Sequence, residues 1–185
     1  MNIIGVTNRK LCSDFYKRIE EISKENLKYL ILREKDLREE ELEIMAMRVK
    51  GILKNSQTKL IVSGNIKVAD NIGAYGIQLS FQKFMEFSKE DFDGIVGVSI
   101  HSLSEGVEAE KKGADYLLYG HVFETECKKD LEPRGIEELK EICKRSKIPV
   151  YAIGGINKSN FKTVLDAGAY GIAVMSSLMK KIYIS

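Results

Sequence analysis

Two kinds of residue in the second half of the chain could do chemistry: a histidine that could move a proton, and glycines that could hold a phosphate. His121 follows Tyr119 and Gly120 at the end of an apolar run, and it is one of two histidines. An unperturbed imidazole titrates near pH ~6.5, so it can remove and return a proton near neutrality. A half-buried histidine held by a backbone carbonyl is the structural alternative. The place of His121 at the end of a run favours a catalytic role.

Paired glycines and paired serines end two successive apolar runs and could bind a phosphate group. Gly154 and Gly155 end one run, and Ser176 and Ser177 end the next. Glycine lets backbone N–H groups approach an anion, and the N-terminus of a following helix adds its dipole. The pairs could instead form a tight turn and a helix cap. Their matching positions after successive runs favour a phosphate site.

Basic residues in two polar segments could bind the rest of an anionic ligand. Arg33 and Lys35 lie in the segment Leu-Arg-Glu-Lys-Asp, directly after an apolar run. A cation at the end of a buried strand needs an anionic partner, so we predict a ligand or an ion pair for Arg33 and, secondarily, a ligand for Lys35. Asp36 could simply cap a helix. Lys128 lies in a polar loop after His121, from which it could close over an anion.

The sequence shows no recognisable metal site. The segment Leu60 to Asn65 has no carboxylate, and no cluster of acidic residues elsewhere ends an apolar run in a way that would hold Mg²⁺. Ser102 fits the N-cap of a helix that contains Glu105. Cys127 has no neighbour that would activate its thiol, so it is expected to be a spectator. We therefore expect no metal ion and no other cofactor.

Eight short apolar runs, rich in β-branched residues, have the pattern of strands buried on both faces of a parallel sheet. They are Ile3 to Val6, Tyr29 to Leu32, Lys59 to Val62, Gly76 to Leu79, Ile95 to Val98, Tyr116 to Tyr119, Val150 to Ile153 and Gly171 to Met175. Between them lie segments with apolar residues three and four apart, which predict helices. These are Asp14 to Glu25, Leu37 to Asn55, Leu103 to Lys112, Gly135 to Lys144 and Lys158 to Ala167.

Regular alternation of strand and helix, with no Pro-rich or Ser-rich linker, predicts an α/β fold formed by residues 1–185 as a single domain. A single (β/α)8 TIM barrel is favoured over an open doubly wound sheet. A Gly-Ala pair precedes two of the later runs, which suggests a repeated unit. Few residues follow Ser177, so the final helix is expected to be short.

Composition excludes several classes of protein. The 29 basic and 27 acidic residues nearly balance, which gives no general reason to expect nucleic acid or an anionic membrane as a partner. The three cysteines are odd in number and lack close spacing, which favours reduced thiols over a disulfide framework. The apolar run at the amino terminus is too short for a signal peptide core or a membrane span. We expect a cytoplasmic protein.

Seven motifs resemble those of the thiamine phosphate synthase and thiazole tautomerase superfamily. The resemblance implies a TIM barrel that binds a phosphorylated thiazole at the rim. Ser99 and Thr125 lie within these motifs, and we predict that they bind substrate. The motifs are Leu-Arg-Glu-Lys-Asp (32–36), Gly-Val-Ser-Ile-His-Ser (97–102), Ala-Asp-Tyr (114–116), Gly-His-Val-Phe-Glu-Thr (120–125), Arg-Gly (134–135), Ala-Ile-Gly-Gly-Ile (152–156) and Gly-Ile-Ala-Val-Met-Ser (171–176).

Within this superfamily, the residues around His121 resemble the tautomerase branch, in which this histidine is implicated in proton transfer. The resemblance therefore implies an isomerase that aromatises a thiazole carboxylate phosphate without a cofactor. The alternative is thiamine phosphate synthase, which joins a pyrimidine diphosphate to thiazole phosphate and would need Mg²⁺. Ser63, Gly64 and Asn65 stand where that enzyme typically has Asn-Asp-Arg. A non-catalytic protein that binds thiazole or thiamine phosphate is the second alternative, and a homo-oligomer remains possible.

Overall fold

Parallel strands close into a barrel in the computed structural model, which describes residues 2–125 and 131–181. Each strand pairs with the next along the chain, and the last pairs with the first. The predicted (β/α)8 barrel is confirmed, and the open sheet is excluded. In the described residues the strands are β1 Asn2–Val6, β2 Tyr29–Leu32, β3 Lys59–Ser63, β4 Gly76–Ser80, β5 Ile95–Ile100, β6 Tyr116–Gly120, β7 Val150–Ile153 and β8 Gly171–Val174.

Helices follow the strands and cover the outside of the barrel. The two after β3 and β4 have six residues each, which explains why their sequences show little helical periodicity. No helix in the described ranges is long and apolar enough to cross a membrane. The helices are α1 Phe15–Ile22, α2 Glu39–Leu53, α3 Ile66–Asn71, α4 Phe81–Glu86, α5 Leu103–Lys111, α6 Ile136–Arg145, α7 Phe161–Asp166 and α8 Ser176–Met179.

Capping side chains set the helix boundaries inside the ranges that periodicity predicts. Asp14 lies before α1 rather than in it, and its carboxylate accepts a hydrogen bond from the backbone N–H of Lys17 at 3.0 Å. Before α2, the Glu41 carboxylate accepts from the backbone N–H of Arg38 at 3.0 Å. Such contacts satisfy first-turn donors that have no partner within the helix. The predicted short final helix is confirmed, since α8 has four described residues.

Alternation along the strands divides the apolar residues into two layers. One layer packs between the strands and the helices. The other fills the barrel and includes Ile31 and Ile61. Because side chains of a strand alternate between faces, Arg33 follows Ile31 on the inward side. A polar residue that lies two positions after the last inward apolar residue of a strand therefore stands at the carboxyl-terminal mouth of the barrel.

Tyrosine rings in stacked and edge-to-face contacts close the opposite, amino-terminal end of the barrel. The ring of Tyr29 lies 5.6 Å from that of Tyr116, and Tyr116 lies 5.7 Å from Tyr151. Tyr75 and Tyr170 extend this group toward solvent. The packed rings leave the carboxyl-terminal mouth as the side from which a ligand can approach, as in other barrels of this type.

Candidate active site

The predicted phosphate site lies after β7 and β8, where two glycines hold conformations that other residues rarely adopt. Gly154 has φ of +104° and Gly155 has φ of +67°. A Cβ atom at Gly154 would meet Cβ of His121, and one at Gly155 would meet the Glu124 carbonyl oxygen. Glycine is therefore required at both positions for the backbone geometry and for the close approach of the segment after β6.

Backbone N–H groups around these glycines have no acceptor among the described residues. In the described part of the chain, the N–H groups of Gly154, Gly155, Ser176 and Ser177 donate to no protein acceptor. The first backbone bond of α8 is donated by Met179, so the amides before it have no helical partner. Free amides can donate to an anion, and the four residues that the sequence predicts for phosphate follow two strands that pair in register.

Arg33 stands at the mouth of the barrel, directly after β2. Its backbone N–H donates to Oγ1 of Thr7 at 3.0 Å, which fixes the end of β2 against the end of β1. Its half-buried side chain has no ion pair or hydrogen bond among the residues the structure describes, and neither has the exposed side chain of Lys35. The geometry leaves both predicted cations free to bind a ligand.

The two acids in the same segment are already occupied. Glu34 is buried and accepts from Oγ1 of Thr7 at 2.7 Å and from Nη1 of Arg9 at 3.1 Å. Asp36 pairs with Arg9 at 2.6 Å and with Lys10 at 2.9 Å, which holds the pKa of its carboxyl well below the usual range. Asp36 does not cap α2, whose N-cap is Arg38. Arg9 and Lys10 together thus neutralise the two acids, and among the described residues neither acid pairs with Arg33 or Lys35.

Ser99 lies at the mouth on β5, next to a polar pair that the sequence reasoning missed. Nε2 of Gln78 donates to Oγ of Ser99 at 2.9 Å, and the hydroxyl of Tyr116 donates to Oε1 of Gln78 at 2.6 Å. Burial raises the pKa of Tyr116 well above its usual value, so the phenol stays protonated. The signal that could have revealed Gln78 is a lone amide at an inward position of an apolar strand.

His121 is buried, with 3% of its surface exposed, and does not open directly onto solvent. Its Nε2 lies 3.1 Å from the carbonyl oxygen of Leu131. A carbonyl can only accept, so this nitrogen carries the proton in the neutral ring and Nδ1 has a free lone pair. In the described residues Nδ1 has no partner. The carbonyl contact is the one expected of a structural histidine, and proton transfer by His121 stays a prediction.

The remaining predicted residues near the mouth are a helix cap, Ser102, and residues of the segment after β6. Oγ of Ser102 accepts from the backbone N–H of Glu105 at 3.2 Å, so the predicted N-cap role is confirmed. Arg134 donates to the carbonyl of His101 at 2.7 Å and ties this edge to the segment before α6. Thr125 ends a described range. Lys128 and Cys127 lie outside the described residues.

The edge formed by β3 and β4 does not fit a Mg²⁺ site. Asn65 caps α3, and its amide donates to Glu39, a carboxylate that also pairs with Lys67 at 2.7 Å. Nζ of Lys83 donates to the carbonyl of Gly64 at 3.1 Å, which places an ammonium group at this edge. Over the described ranges, no group of three or more His, Cys, Asp or Glu residues could hold a metal ion. Magnesium prefers several oxygen ligands that include carboxylates, whereas Glu39 is already paired and Lys83 brings a positive charge.

Comparison with known proteins places this barrel in a family. Residues 3–178 match the family model described as thiamine monophosphate synthase. The thiamine-phosphate synthase of Clostridium acetobutylicum is 36% identical over 94% of this chain and 85% of its own. That of Pyrococcus abyssi is 38% identical over 97% and 87%. The structure of thiamine phosphate pyrophosphorylase from Pyrococcus furiosus superposes with a TM-score of 0.85 at 33% identity, covering 97% of this chain and 87% of that one.

These relatives correct the predicted activity. The expectation of a thiazole tautomerase, an isomerase, is wrong, because the similar proteins are thiamine-phosphate synthases. That expectation depended on a short motif around His121, whereas the similarity to the synthases extends over nearly the whole chain. The broader resemblance to the superfamily is confirmed, and it concerns enzymes of thiamine biosynthesis. The chain belongs to the thiamine monophosphate synthase family.

Proposed function

We propose that this protein is a thiamine-phosphate synthase, a transferase that joins a pyrimidine diphosphate to thiazole phosphate. The observation that carries the proposal is identity of 36–38% to thiamine-phosphate synthases over at least 94% of this chain. In this reaction the thiazole nitrogen forms a C–N bond to the pyrimidine methylene carbon. The C–O bond to the diphosphate breaks, and pyrophosphate leaves with the bonding electrons.

The phosphate of the thiazole is assigned to the amides that end β7 and β8. The N–H groups of Gly154, Gly155, Ser176 and Ser177 have no acceptor among the described residues, and Gly154 and Gly155 give the backbone the freedom to converge. Hydrogen bonds from neutral amides to an anion are charge-assisted and roughly twice as strong as neutral ones. This cradle fixes one substrate before the second reacts with it.

The departing diphosphate is assigned to the opposite side of the mouth, near the ends of β2 and β3, where basic side chains lie. Arg33 follows the end of β2, and β2 pairs with β3 in register through Leu32 and Val62. Lys83 supplies an ammonium group at Gly64, directly after β3. Fixed positive charges beside a leaving group stabilise the charge that develops in the transition state. We propose that these side chains, with Lys35, neutralise the diphosphate without a metal ion at the β3 and β4 edge.

His121 has a positioning role in this proposal. The transfer moves no proton between carbon atoms, so the reaction does not require a proton shuttle. Nε2 of His121 contacts the Leu131 carbonyl, and Cβ of His121 fills the space that a side chain at Gly154 would need. It thereby joins the far end of the segment after β6 to the phosphate cradle.

The test is a product assay with both substrates, followed by mass spectrometry of thiamine phosphate. One reaction contains excess chelator and a parallel reaction contains Mg²⁺, with protein-free controls for each. The proposal predicts thiamine phosphate in the chelator reaction at a rate at least about tenfold above the control. If calorimetry shows tight binding of thiazole phosphate but neither reaction yields product, the protein is a phosphate-binding protein and the proposal is wrong.

A further inference from the structure

Two polar side chains, one from β4 and one from β6, meet across a glycine of β5 inside the barrel. Gln78 of β4 is in register with Gly97 of β5, and Gly97 is in register with Tyr116 of β6. The side chains of Gln78 and Tyr116 therefore flank a position that has no side chain. A Cβ at Gly97 would meet the Tyr116 hydroxyl and Oε1 of Gln78. Glycine at this position is what lets the two polar groups touch.

The resulting hydrogen bonds form a series that runs from Tyr116 through Gln78 to Ser99. Tyr116 donates to Oε1 of Gln78 at 2.6 Å, and Nε2 of Gln78 donates to Oγ of Ser99 at 2.9 Å. Tyr116 is 2% exposed and Gln78 is 4% exposed, so water does not compete for these groups. Ser99 is half-buried, two residues closer to the mouth than Gly97. The series thus runs from the barrel interior toward the ligand side.

Burial determines which group donates and which accepts in each of these hydrogen bonds. If the Gln78 amide were flipped, its nitrogen would donate to Tyr116 and the phenolic proton would lack an acceptor in the described part of the barrel. A buried donor without a partner is costly, whereas an oxygen that accepts nothing costs less. Tyr116 therefore holds the amide with its oxygen toward the phenol and its nitrogen toward Ser99.

We propose that Tyr116 and Gln78 are positioning residues that make Ser99 a hydrogen-bond donor to the substrate. Because Oγ of Ser99 accepts from Gln78, its own proton is left to donate, and no described residue accepts it. The ligand atom opposite Ser99 is then an acceptor, either an unprotonated ring nitrogen or a phosphate oxygen. This inference depends on the proposed function only for the identity of that ligand.

The decisive variant is Gln78→Glu, which keeps the shape but replaces the amide nitrogen with a second acceptor oxygen. The carboxylate would accept from both hydroxyls and turn the Ser99 proton away from the ligand. Ser99→Ala removes the donor itself. Gln57→Glu is the matched control, because Gln57 is exposed before β3, at the end of the barrel away from the mouth, and has no hydrogen bond within the described residues. Tyr116→Phe releases the amide to flip and serves as a second variant should Gln78→Glu fail to fold.

Calorimetry on each variant measures affinity for inorganic phosphate, inorganic pyrophosphate and thiazole phosphate separately. Gln78→Glu and Ser99→Ala are expected to weaken one of the latter two ligands about tenfold or more, and the double variant is expected to lose no more than either alone. Inorganic phosphate, held by the amide cradle, is expected to bind unchanged. A loss confined to pyrophosphate identifies a diphosphate oxygen as the acceptor, and a loss confined to thiazole phosphate identifies the thiazole.

The proposal is overturned if Gln78→Glu binds every ligand like the wild type, or if the two substitutions act additively. A general loss of stability would weaken all three ligands together and would also overturn it. This proposal and the proposed function can fail independently of each other. If the wild type makes no thiamine phosphate but Gln78→Glu still weakens one ligand selectively, the positioning role stands and the synthase proposal fails.

Discussion

Substituting alanine at Gly154 tests the phosphate cradle, because the expected cost can be worked out from the backbone and from one contact. Gly154 has φ of +104°, where a residue with a Cβ is strained by about 1–2 kcal/mol. The added methyl group would also meet Cβ and Cα of His121. Forcing an extra carbon into a packed site costs about 1–3 kcal/mol. The sum predicts a loss of roughly 2–5 kcal/mol in the free energy of unfolding.

Gly113→Ala is the matched control for this substitution. Gly113 has φ of +94°, close to that of Gly154, so the backbone strain is similar. A Cβ there would lie 3.7 Å from Cδ of Lys89, an ordinary contact. We therefore expect Gly113→Ala to lose only the strain part, about 1–2 kcal/mol, and to keep its affinity for phosphate.

The assay combines urea unfolding for stability with calorimetry for the binding of inorganic phosphate. Gly154→Ala is expected to be about 1–3 kcal/mol less stable than Gly113→Ala and to bind phosphate at least about tenfold more weakly. The weaker binding follows because relief of the contact with His121 moves the amides that converge on the anion. Equal stability losses, or undiminished phosphate affinity in Gly154→Ala, would refute this reasoning.

Three further predictions concern the charges and thiols. Arg33→Met is expected to weaken the binding of thiazole phosphate or pyrophosphate about tenfold in calorimetry, with little change in the free energy of unfolding. Arg9→Met is expected to destabilise the fold, because it leaves the buried Glu34 without its cation. The reverse pattern would contradict the assignment. Lys83→Ala is expected to weaken pyrophosphate binding about 5- to 10-fold in the presence of chelator, and an unchanged affinity would remove the ammonium group from the diphosphate site. Burial raises the pKa of Cys143 to about 11, so less thiolate is present at a given pH than for an ordinary cysteine. Alkylation of Cys143 at pH ~8.5 should therefore be about 100-fold slower than that of an unperturbed thiol, and its rate should increase as the pH rises. Peptide mass spectrometry measures this rate.

The barrel could be predicted from sequence because its signals are local. Each strand is a continuous apolar run, and residues such as Ile31 and Ile61 fall at the inward positions of their runs. Parallel strands buried on both faces leave little choice of architecture once eight of them alternate with helices. The positions of Gly154 and Gly155 were also predictable, since both directly follow a run that the barrel places at the mouth.

Side-chain partners could not be predicted because they depend on contacts between distant strands. Arg9 was not singled out, yet with Lys10 it neutralises Glu34 and Asp36, so within the described ranges neither acid pairs with Arg33. The role of Gln78 became visible only once the register placed Tyr116 on the other side of Gly97 from it. The motif around His121 indicated the wrong reaction, because a few residues beside a strand end do not specify what the rest of the mouth binds.

The most direct test of the central claim is the amount of pyrophosphate released for each thiamine phosphate formed. Purified protein is incubated with the pyrimidine diphosphate and thiazole phosphate in chelator and, separately, in Mg²⁺, and both products are quantified over time. A synthase predicts that the two products appear together in equal amounts, and only when both substrates are present. Absence of thiamine phosphate above the protein-free control in both conditions, or pyrophosphate release without it, would contradict the account.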